Sequence, residues 1–210
     1  MFRIDLHVHS KYSGDSSSEP EEIIERALEL GLDGVAFTEH YSYEASEPVE
    51  PLREKYRGEV LILRGVEFST REGHCLVFGF NTDRALPKYA PLGEVLRIVH
   101  SNGGVVIPSH PFRGTNSIGD AIRTIEGLFA IEGFNGYNMH PSNMKAVELA
   151  EELGLSFTGG SDAHEPHEVG QCYTEFFDPV TEENFLALLR KGRYTGRDIR
   201  KISRMGFISF

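Results

Sequence analysis

Cysteine is scarce in this chain, with 2 residues among 210. Cys75 and Cys172 are too few for the disulfide framework that staples many small secreted domains. In the strand predicted around Cys75, its side chain alternates away from that of the neighbouring His74. We therefore expect two reduced, packed thiols, and neither is a candidate nucleophile.

Long apolar segments are also missing. No run approaches the roughly 18 apolar residues that a membrane-spanning helix requires, and the first residues enter a predicted strand without the basic region and apolar core of a signal peptide. These absences predict a cytoplasmic protein with no membrane partner. The sequence indicates no oligomeric state.

Basic residues are in the minority, with 21 Lys and Arg against 32 Asp and Glu and a formal net charge of −11. Proteins that bind nucleic acids broadly present a basic surface, so this balance argues against that class. A small anionic substrate stays possible, because bound divalent cations can reverse the potential inside the pocket of an acidic protein.

The chain does contain a regular alternation of apolar strands and helical segments. Its length and 40% apolar content suit a single domain, 1–210, without repeats or linkers. The alternation predicts an α/β barrel of parallel strands surrounded by helices. The first helix is expected to start at Ser18-Glu19-Pro20-Glu21 and stop at Gly31. Further helices are expected at about 91–102, 118–126, 141–153 and 181–191, with the segment 194–210 packed on the barrel.

The first predicted strand, Arg3 to His9, places His7 and His9 on one face because side chains alternate along a strand. Two imidazoles held side by side on a rigid strand can bind one metal ion. Taken alone, the pair leaves the alternative open that these histidines only pack or form hydrogen bonds.

Later apolar runs end on metal-type donors as well. In a barrel of parallel strands, the carboxyl ends of the strands meet at the face where active sites form. Solvated surface histidines have no reason to fall at such positions repeatedly. The runs end on Thr38-Glu39-His40, Gly65-Val66-Glu67, Ser109-His110-Pro111 and Ser161-Asp162-Ala163-His164.

Together with His7-x-His9 and in this order, these motifs resemble those of the PHP (polymerase and histidinol phosphatase) superfamily, from Asp5 to about Gly170. The resemblance implies a distorted (β/α)7 TIM-like barrel, the PHP fold. It also implies a cluster of two or three divalent metal ions that hydrolyses phosphoesters. Asp15 matches a place where the family has another ligand, and His74 lies in a strand where the family often carries a ligand histidine. If that ligand came at the far end of the strand, the chain would offer only Asn81 there.

The donor types indicate which cations are expected. Histidines suit Zn, Mn or Fe better than Mg, whereas carboxylates supply charge and can bridge two ions. Glu67 is the expected bridging carboxylate, and water activated between two cations makes a serine or cysteine nucleophile unnecessary. The predicted ligand set is His7, His9, Asp15, His40, Glu67, His74, His110, Asp162 and His164.

Other residues are expected to support this centre. Asp5 faces the same way as His7 and is predicted to orient imidazoles, with Glu39 doing the same near His40. Glu132 and Asn135 are expected in the pocket wall or behind the ligands. Two rim residues complete the predicted catalytic set with Glu67. They are Arg113, which has the geometry to bind phosphate with two hydrogen bonds, and His167, for substrate contact or proton delivery.

The resulting hypothesis is a metal-dependent phosphoesterase acting on a small phosphomonoester or nucleotide. Two alternatives stay open. One is a metal-dependent hydrolase of another bond, such as an amidohydrolase, because related sites activate the same water. The other is a regulatory metal-binding module without catalytic activity, although an intact ligand set argues against it.

Overall fold

The chain folds into a curled sheet with helices outside, in a computed structural model that describes residues 1–202 and 208–209. Residues 203–207 and 210, which belong to the predicted packing segment 194–210, lie outside the described residues. The strands are β1 (Phe2–Val8), β2 (Gly34–Phe37), β3 (Leu61–Ser69), β4 (His74–Phe78), β5 (Val105–Pro108), β6 (Ala130–Asn135), β7 (Ser156–Gly160), β8 (Cys172–Phe176), β9 (Tyr194–Asp198), β10 (Lys201–Ile202) and β11 (Ile208–Ser209).

The main sheet has seven strands in the order β5-β4-β3-β2-β1-β8-β9. β1, β2 and β3 run parallel, whereas β4 is antiparallel to both of its neighbours. β6 and β7 form a separate parallel pair, with β7 beside β1 and β9 and β6 beside β5. The α/β fold and the distorted barrel are therefore confirmed, but the expectation of parallel strands throughout was wrong, because β4 and β8 each run antiparallel to both of their neighbours.

The helices expected at 91–102 and 141–153 agree with the structure to within one residue, two others differ, and the helix at Glu50–Lys55 was not predicted. Residues Gly119–Thr124 form a short 3-10 helix within the predicted segment 118–126. The last helix begins four residues late, because Thr181 N donates to Asn184 Oδ1 in a turn before it. The α-helices are α1 (Pro20–Glu29), α2 (Glu50–Lys55), α3 (Leu92–Ser101), α4 (His140–Leu153) and α5 (Phe185–Lys191). None of the helices in the described part of the chain is long and apolar enough to cross a membrane.

The start of α1 differs from the expectation in a way that bears on the site. Glu19, and not Ser18, precedes the helix and forms reciprocal bonds with the backbone and side chain of Glu22. The Ser18 hydroxyl instead donates to the carbonyl of His164 at 2.9 Å. A residue expected to cap a helix therefore holds the loop of a predicted ligand.

Helices α1, α3 and α5 each cover a different part of the sheet. Ile23 and Ile24 of α1 pack with Phe37 of β2, and α3 packs on β3, β4 and β5. Phe185 of α5 closes a third cluster around the fully buried Phe78. Apolar side chains cover both faces of the sheet. The polar candidate ligands therefore lie together at the ends of its strands.

Two glycine substitutions are expected to change stability in opposite directions. In Gly65→Ala the new Cβ would lie 2.6 Å from the ring of Phe78, so we expect a loss of about 1–3 kcal/mol in the free energy of unfolding. Gly93→Ala in α3 meets nothing within 4 Å and should gain up to about 1 kcal/mol from helix propensity. Urea unfolding of both variants measures the difference, and equal effects would contradict the packing described around Phe78.

Candidate metal centre

Two histidines of β1 and one aspartate after β7 form the most buried part of the centre. His7 and His9 are fully buried, and their Nε2 atoms lie 3.1 Å apart. Asp162 Oδ1 lies 3.3 Å from His7 Nε2 and 3.0 Å from His9 Nε2. Two ligand atoms at about 2.1 Å from the same cation are about 3.0–3.4 Å apart at octahedral or tetrahedral angles. These three donors therefore fit a common divalent cation.

The carboxylate of Glu67, at the end of β3, links this group to three other histidines. Its Oε1 lies 2.7 Å from His110 Nε2 and 3.1 Å from His74 Nδ1. Its Oε2 lies 2.9 Å from His40 Nδ1. The same carboxylate faces both β1 histidines at 3.6 and 3.7 Å. A buried carboxylate with imidazoles around both oxygens is placed to bind two cations at once.

A third group opens towards solvent. Asp15 Oδ2 lies 2.9 Å from His40 Nε2 and 3.3 Å from His164 Nε2. The ring of His9 packs against both histidines, with centroids 4.2 and 4.5 Å away. The Asp15 side chain is half exposed, so this part of the centre is accessible to a ligand from outside.

The structure thus brings all of the predicted metal ligands together at one edge of the barrel. Glu67 and His9 each belong to two sets of donors, so the sets overlap in one candidate metal centre. Within each set the donor atoms lie within 4.8 Å of one another. The sets are His7, His9, Glu67 and Asp162; Glu67, His74 and His110; and His9, His40 and His164, with Asp15 beside the last.

The direction of β4 determines which end of this strand lies beside the other candidate ligands. Because β4 runs antiparallel to β3, its first residue, His74, pairs with Ser69 at the end of β3 where Glu67 lies. Asn81 follows the opposite end of β4 and bonds to Glu44. The reversed strand therefore places His74, and not Asn81, at the centre.

Glu132, on β6, supports two of the ligands directly. Its Oε1 lies 2.9 Å from His7 Nδ1, and its Oε2 accepts from the backbone N–H of His110 at 2.7 Å. Asp5, expected to orient an imidazole, binds backbone instead: it accepts from the N–H groups of Ser161 and Gly170, each at 2.8 Å. That expectation was wrong, because the Asp5 side chain spans from β1 to the chain after β7 and fixes the loop of Asp162.

The expectation for Glu39 was also wrong. Glu39 accepts hydrogen bonds from the backbone N–H and hydroxyl of Ser10 and from the hydroxyl of Ser13. Ser13 Oγ also lies 2.9 Å from His9 Nδ1 and accepts from the N–H of His40 at 3.2 Å. Ser13 therefore connects two ligands to Glu39, a role that sequence analysis missed. Its position in the loop after His9 was the available signal.

Arg113 lies at the rim with its guanidinium already bonded. Nε donates to Asn138 Oδ1 at 3.0 Å and Nη2 to Asn135 Oδ1 at 2.9 Å, and Nη2 also contacts Asp162 Oδ2. The guanidinium carbon lies 5.4 Å from the ring centroid of Tyr137. Asn138 and Tyr137 were missed by the sequence analysis, since neither belongs to a recognisable motif.

His167 is not brought to the centre. It is exposed in the short 3-10 helix Pro166–Glu168. Its neighbours Glu165 and Glu168 line the cavity above the metal ligands, but His167 does not belong to that lining in the described part of the chain. Its position therefore does not provide the predicted contact with a substrate.

The cavity above the ligands has a volume of about 520 Å³, and we call it the metal cavity. It is bounded by His40, Glu67 and Asp162 below and by Arg113 and Tyr137 at the rim. A larger cleft of about 850 Å³ lies at the opposite ends of β1 and β3, where its charged residues include the ion pair between Arg53 and Glu50. Of the two, only the metal cavity joins cation donors to an open path for a small substrate.

Burial and charge set the protonation of the donors. Burial disfavours a charged His7, but Asp162, Glu132 and Glu67 outweigh it and raise the pKa of His7 well above its usual value. Burial lowers the pKa of His9 to about 4, and the charge on His7 acts in the same direction. Burial would raise the pKa of Glu67, yet the charge on His7 and hydrogen bonds from His110 and other histidines hold it well below its usual value.

Binding of a cation to the apoprotein at pH 7 is expected to release at least about one proton. Because its pKa is raised, His7 is expected to hold a proton in the apoprotein that it loses on binding a metal, whereas the lowered pKa of His9 favours its neutral form. Affinity should therefore rise with pH until the raised pKa of His7 is passed. Calorimetry in two buffers of different ionisation enthalpy measures the proton release, and a binding heat that does not depend on the buffer would contradict it.

The chain is similar to known proteins over most of its length. The PHP domain family matches residues 5–103, and the PHP-associated family matches residues 140–194. An uncharacterized protein of Methanocaldococcus jannaschii is 31% identical over 147 residues, covering 65% of this chain and 83% of its own. The histidinol-phosphatase of Lactococcus lactis is 23% identical over 219 residues, covering 90% of this chain and 78% of its own.

Among solved structures, an amidohydrolase from Chromobacterium violaceum with bound sulfate and no metal has the same fold. Its TM-score is 0.64 at 19% sequence identity, covering 91% of this chain and 96% of the other. At that identity the comparison establishes the fold alone. The two matched segments contain all of the ligands except His110, which completes the Glu67 set in the structure. This chain therefore belongs to the PHP domain family, with a divalent-metal centre at the edge of its barrel.

Proposed function

We propose that this protein is a phosphatase that hydrolyses a small phosphomonoester at a centre of two or three divalent cations. The observation that carries the proposal is the overlap of the donor sets at Glu67 and His9 beneath an open cavity with Arg113 at its rim. The histidinol-phosphatase relative supports a phosphomonoester. The sulfate in the Chromobacterium violaceum structure supports a tetrahedral anion as a ligand of this fold.

The donor set favours particular cations. Imidazoles are the majority of the donors, which suits Zn, Mn or Fe better than Mg. When bound, such cations would activate water and neutralise the oxygens of a phosphate. His7, His9, Glu67 and Asp162 would hold the most buried cation, and the sets around His110 and His164 would hold the others.

The chain's own residues supply positioning and charge around that centre. Glu132 accepts a hydrogen bond at His7 Nδ1 and so directs Nε2 towards the other donors. Arg113 is held by Asn135 and Asn138 and lines the metal cavity. A guanidinium fixed in this way is ready to bind phosphate oxygens at little entropic cost.

Arg113→Ala tests the phosphate part of the proposal. We expect a rise in KM and a fall in kcat/KM of roughly ten- to a thousandfold, because the positive charge and the Nη1 hydrogen-bond donors that face no partner among these residues are lost. Arg113→Lys should recover only part of the loss, since an ammonium keeps the charge without the planar guanidinium geometry. Arg84→Ala, at a site where the side chain is 87% exposed, is the control. Steady-state kinetics and metal analysis together check the result.

Metal content should stay unchanged in Arg113→Ala, so a variant that loses its metals would show that the contact with Asp162 dominates. Wild-type kinetics on the best phosphomonoester would instead make Arg113 a surface charge. A panel of amides and lactones tested in parallel separates the phosphatase from an amidohydrolase, the activity named for the Chromobacterium violaceum protein. Turnover of an amide without phosphate release would overturn the proposal.

A further inference from the structure

Strained backbone in this protein is concentrated around one region. Apart from glycines, five described residues have a left-handed backbone: Tyr41 (φ 64°), Tyr89 (57°), His110 (29°), Asn116 (54°) and Asp162 (56°). His110 and Asp162 are metal donors, and Tyr41 and Asn116 line the metal cavity. Bulky residues adopt this conformation rarely, and it persists mostly at functional sites. Tyr89 has the same strain but no part in the metal centre.

Tyr89 lines a second cavity that adjoins the first. This side pocket of about 180 Å³ is bounded by Tyr41, Phe68, Ser69, Lys88 and Tyr89. Tyr41 is a wall of both cavities, and Phe68 and Ser69 follow Glu67 directly on β3. A ligand that occupied both cavities would therefore place its phosphate at the cations and its other end in the side pocket.

The walls of the side pocket are aromatic and exposed. Tyr41 and Tyr89 are 59% and 61% exposed, so both residues are accessible to a ligand. Phe68 is buried at their base. The loop of Tyr89 is held in place by a hydrogen bond from the N–H of Arg71 to the carbonyl of Ala90 at 3.2 Å. Exposed tyrosine rings held next to a cavity are surfaces on which a planar ring can stack.

Lys88 restricts the chemical type of ring that the side pocket favours. It adds a positive charge to the pocket, in a chain whose formal net charge is −11. An ammonium in the wall disfavours a cationic alcohol such as histidinol and favours a neutral one that offers hydrogen-bond acceptors. A nucleoside base meets both conditions, because it is planar, uncharged at neutral pH and carries ring nitrogens or carbonyl oxygens.

We propose that the side pocket binds the base of a nucleoside, which makes nucleoside monophosphates the substrate class. Hydrolysis of the phosphate rests on the proposed phosphatase function. Binding of the base does not, because the side pocket can bind a nucleoside without turnover. The two parts can therefore fail separately.

The test compares a ligand with and without a base. Wild-type protein should bind adenosine, measured by calorimetry, more tightly than ribose or histidinol. It should also hydrolyse adenosine 5′- or 3′-monophosphate with a kcat/KM about 10- to 100-fold above that for ribose 5-phosphate, the range expected for stacking one base. Tyr89→Gly should reduce this ratio to below about threefold and weaken adenosine binding by a similar factor, as one stacking partner is lost.

Tyr89→Gly is chosen because it removes the ring without adding strain. Glycine adopts a φ near 57° freely, so the variant should unfold at the same or a higher denaturant concentration than wild type. Tyr89→Phe keeps the ring and should keep the preference. Phe177→Ala removes another exposed ring, 49% exposed and outside both cavities, and should leave the preference unchanged.

Each outcome decides a different part of the inference. Unchanged adenosine binding and an unchanged ratio in Tyr89→Gly would overturn the side pocket as a base site. Equal or tighter binding of histidinol in wild type would overturn the nucleoside as its ligand. If no phosphomonoester is hydrolysed but adenosine binds in a Tyr89-dependent manner, the phosphatase function fails and the base site stands.

Discussion

Glu67→Gln is expected to lower kcat/KM by about three orders of magnitude or more, with the fold retained. Its carboxylate lies within 3.1 Å of donor nitrogens of His40, His74 and His110. An amide keeps the shape but removes the negative charge and replaces one acceptor oxygen with a donor. Because bound cations contribute several kcal/mol to a hydrolytic reaction, disturbing two of them removes most of that contribution.

Metal analysis of Glu67→Gln should show a loss of at least one equivalent relative to wild type. The control is Glu72→Gln, because Glu72 accepts a hydrogen bond from the N–H of Leu92 outside the centre. Circular dichroism should show both variants folded. Near-normal turnover by Glu67→Gln would mean that another carboxylate, with Asp162 the first candidate, bridges the cations.

Removal of metal by a chelator is expected to abolish activity and to lower the melting temperature by about 10 °C. A cation at a thousand times its dissociation constant stabilises the folded state by about 4 kcal/mol, and each kcal/mol shifts the melting temperature of a chain of this size by about 2–4 °C. The apoprotein is expected to be less stable for a second reason: Glu67 and Asp162 are buried, and their lowered pKa values keep the carboxylates charged when no cation is bound. Readdition of Zn, Mn or Fe should restore both properties.

Elemental analysis after reconstitution should find at least two equivalents per chain. One equivalent would contradict the overlapping sets, and activity that survives complete chelation would contradict a metal-dependent reaction. A fully loaded protein with no hydrolytic activity on phosphate, amide or lactone substrates would favour the regulatory metal-binding module. The unfolding transition, followed with and without chelator, separates loss of metal from loss of fold.

The sequence by itself predicted most of the candidate metal donors, because two local periodicities indicate them. Alternation along β1 places His7 and His9 on one face, and parallel strands bring their carboxyl ends to a common edge. His40, His110 and Asp162 follow such strands, and Glu67 lies near the end of β3. These relations depend on residues close together in the chain, so most of the candidate ligands and the α/β alternation could be predicted without coordinates, whereas Asp15 and His74 depended on the family resemblance.

The tertiary structure alone decided which groups support and surround those donors. His7 is oriented by Glu132, 125 residues away, and not by its near neighbour Asp5. The antiparallel direction of β4 selected His74 over Asn81, and the exposure of His167 removed it from the cavity. The residues next to Tyr89 and Arg113 belong to other strands and loops of the chain. Sequence periodicity specifies the face of an element, whereas contacts between distant elements depend on how whole strands and loops pack, and no local pattern records that packing.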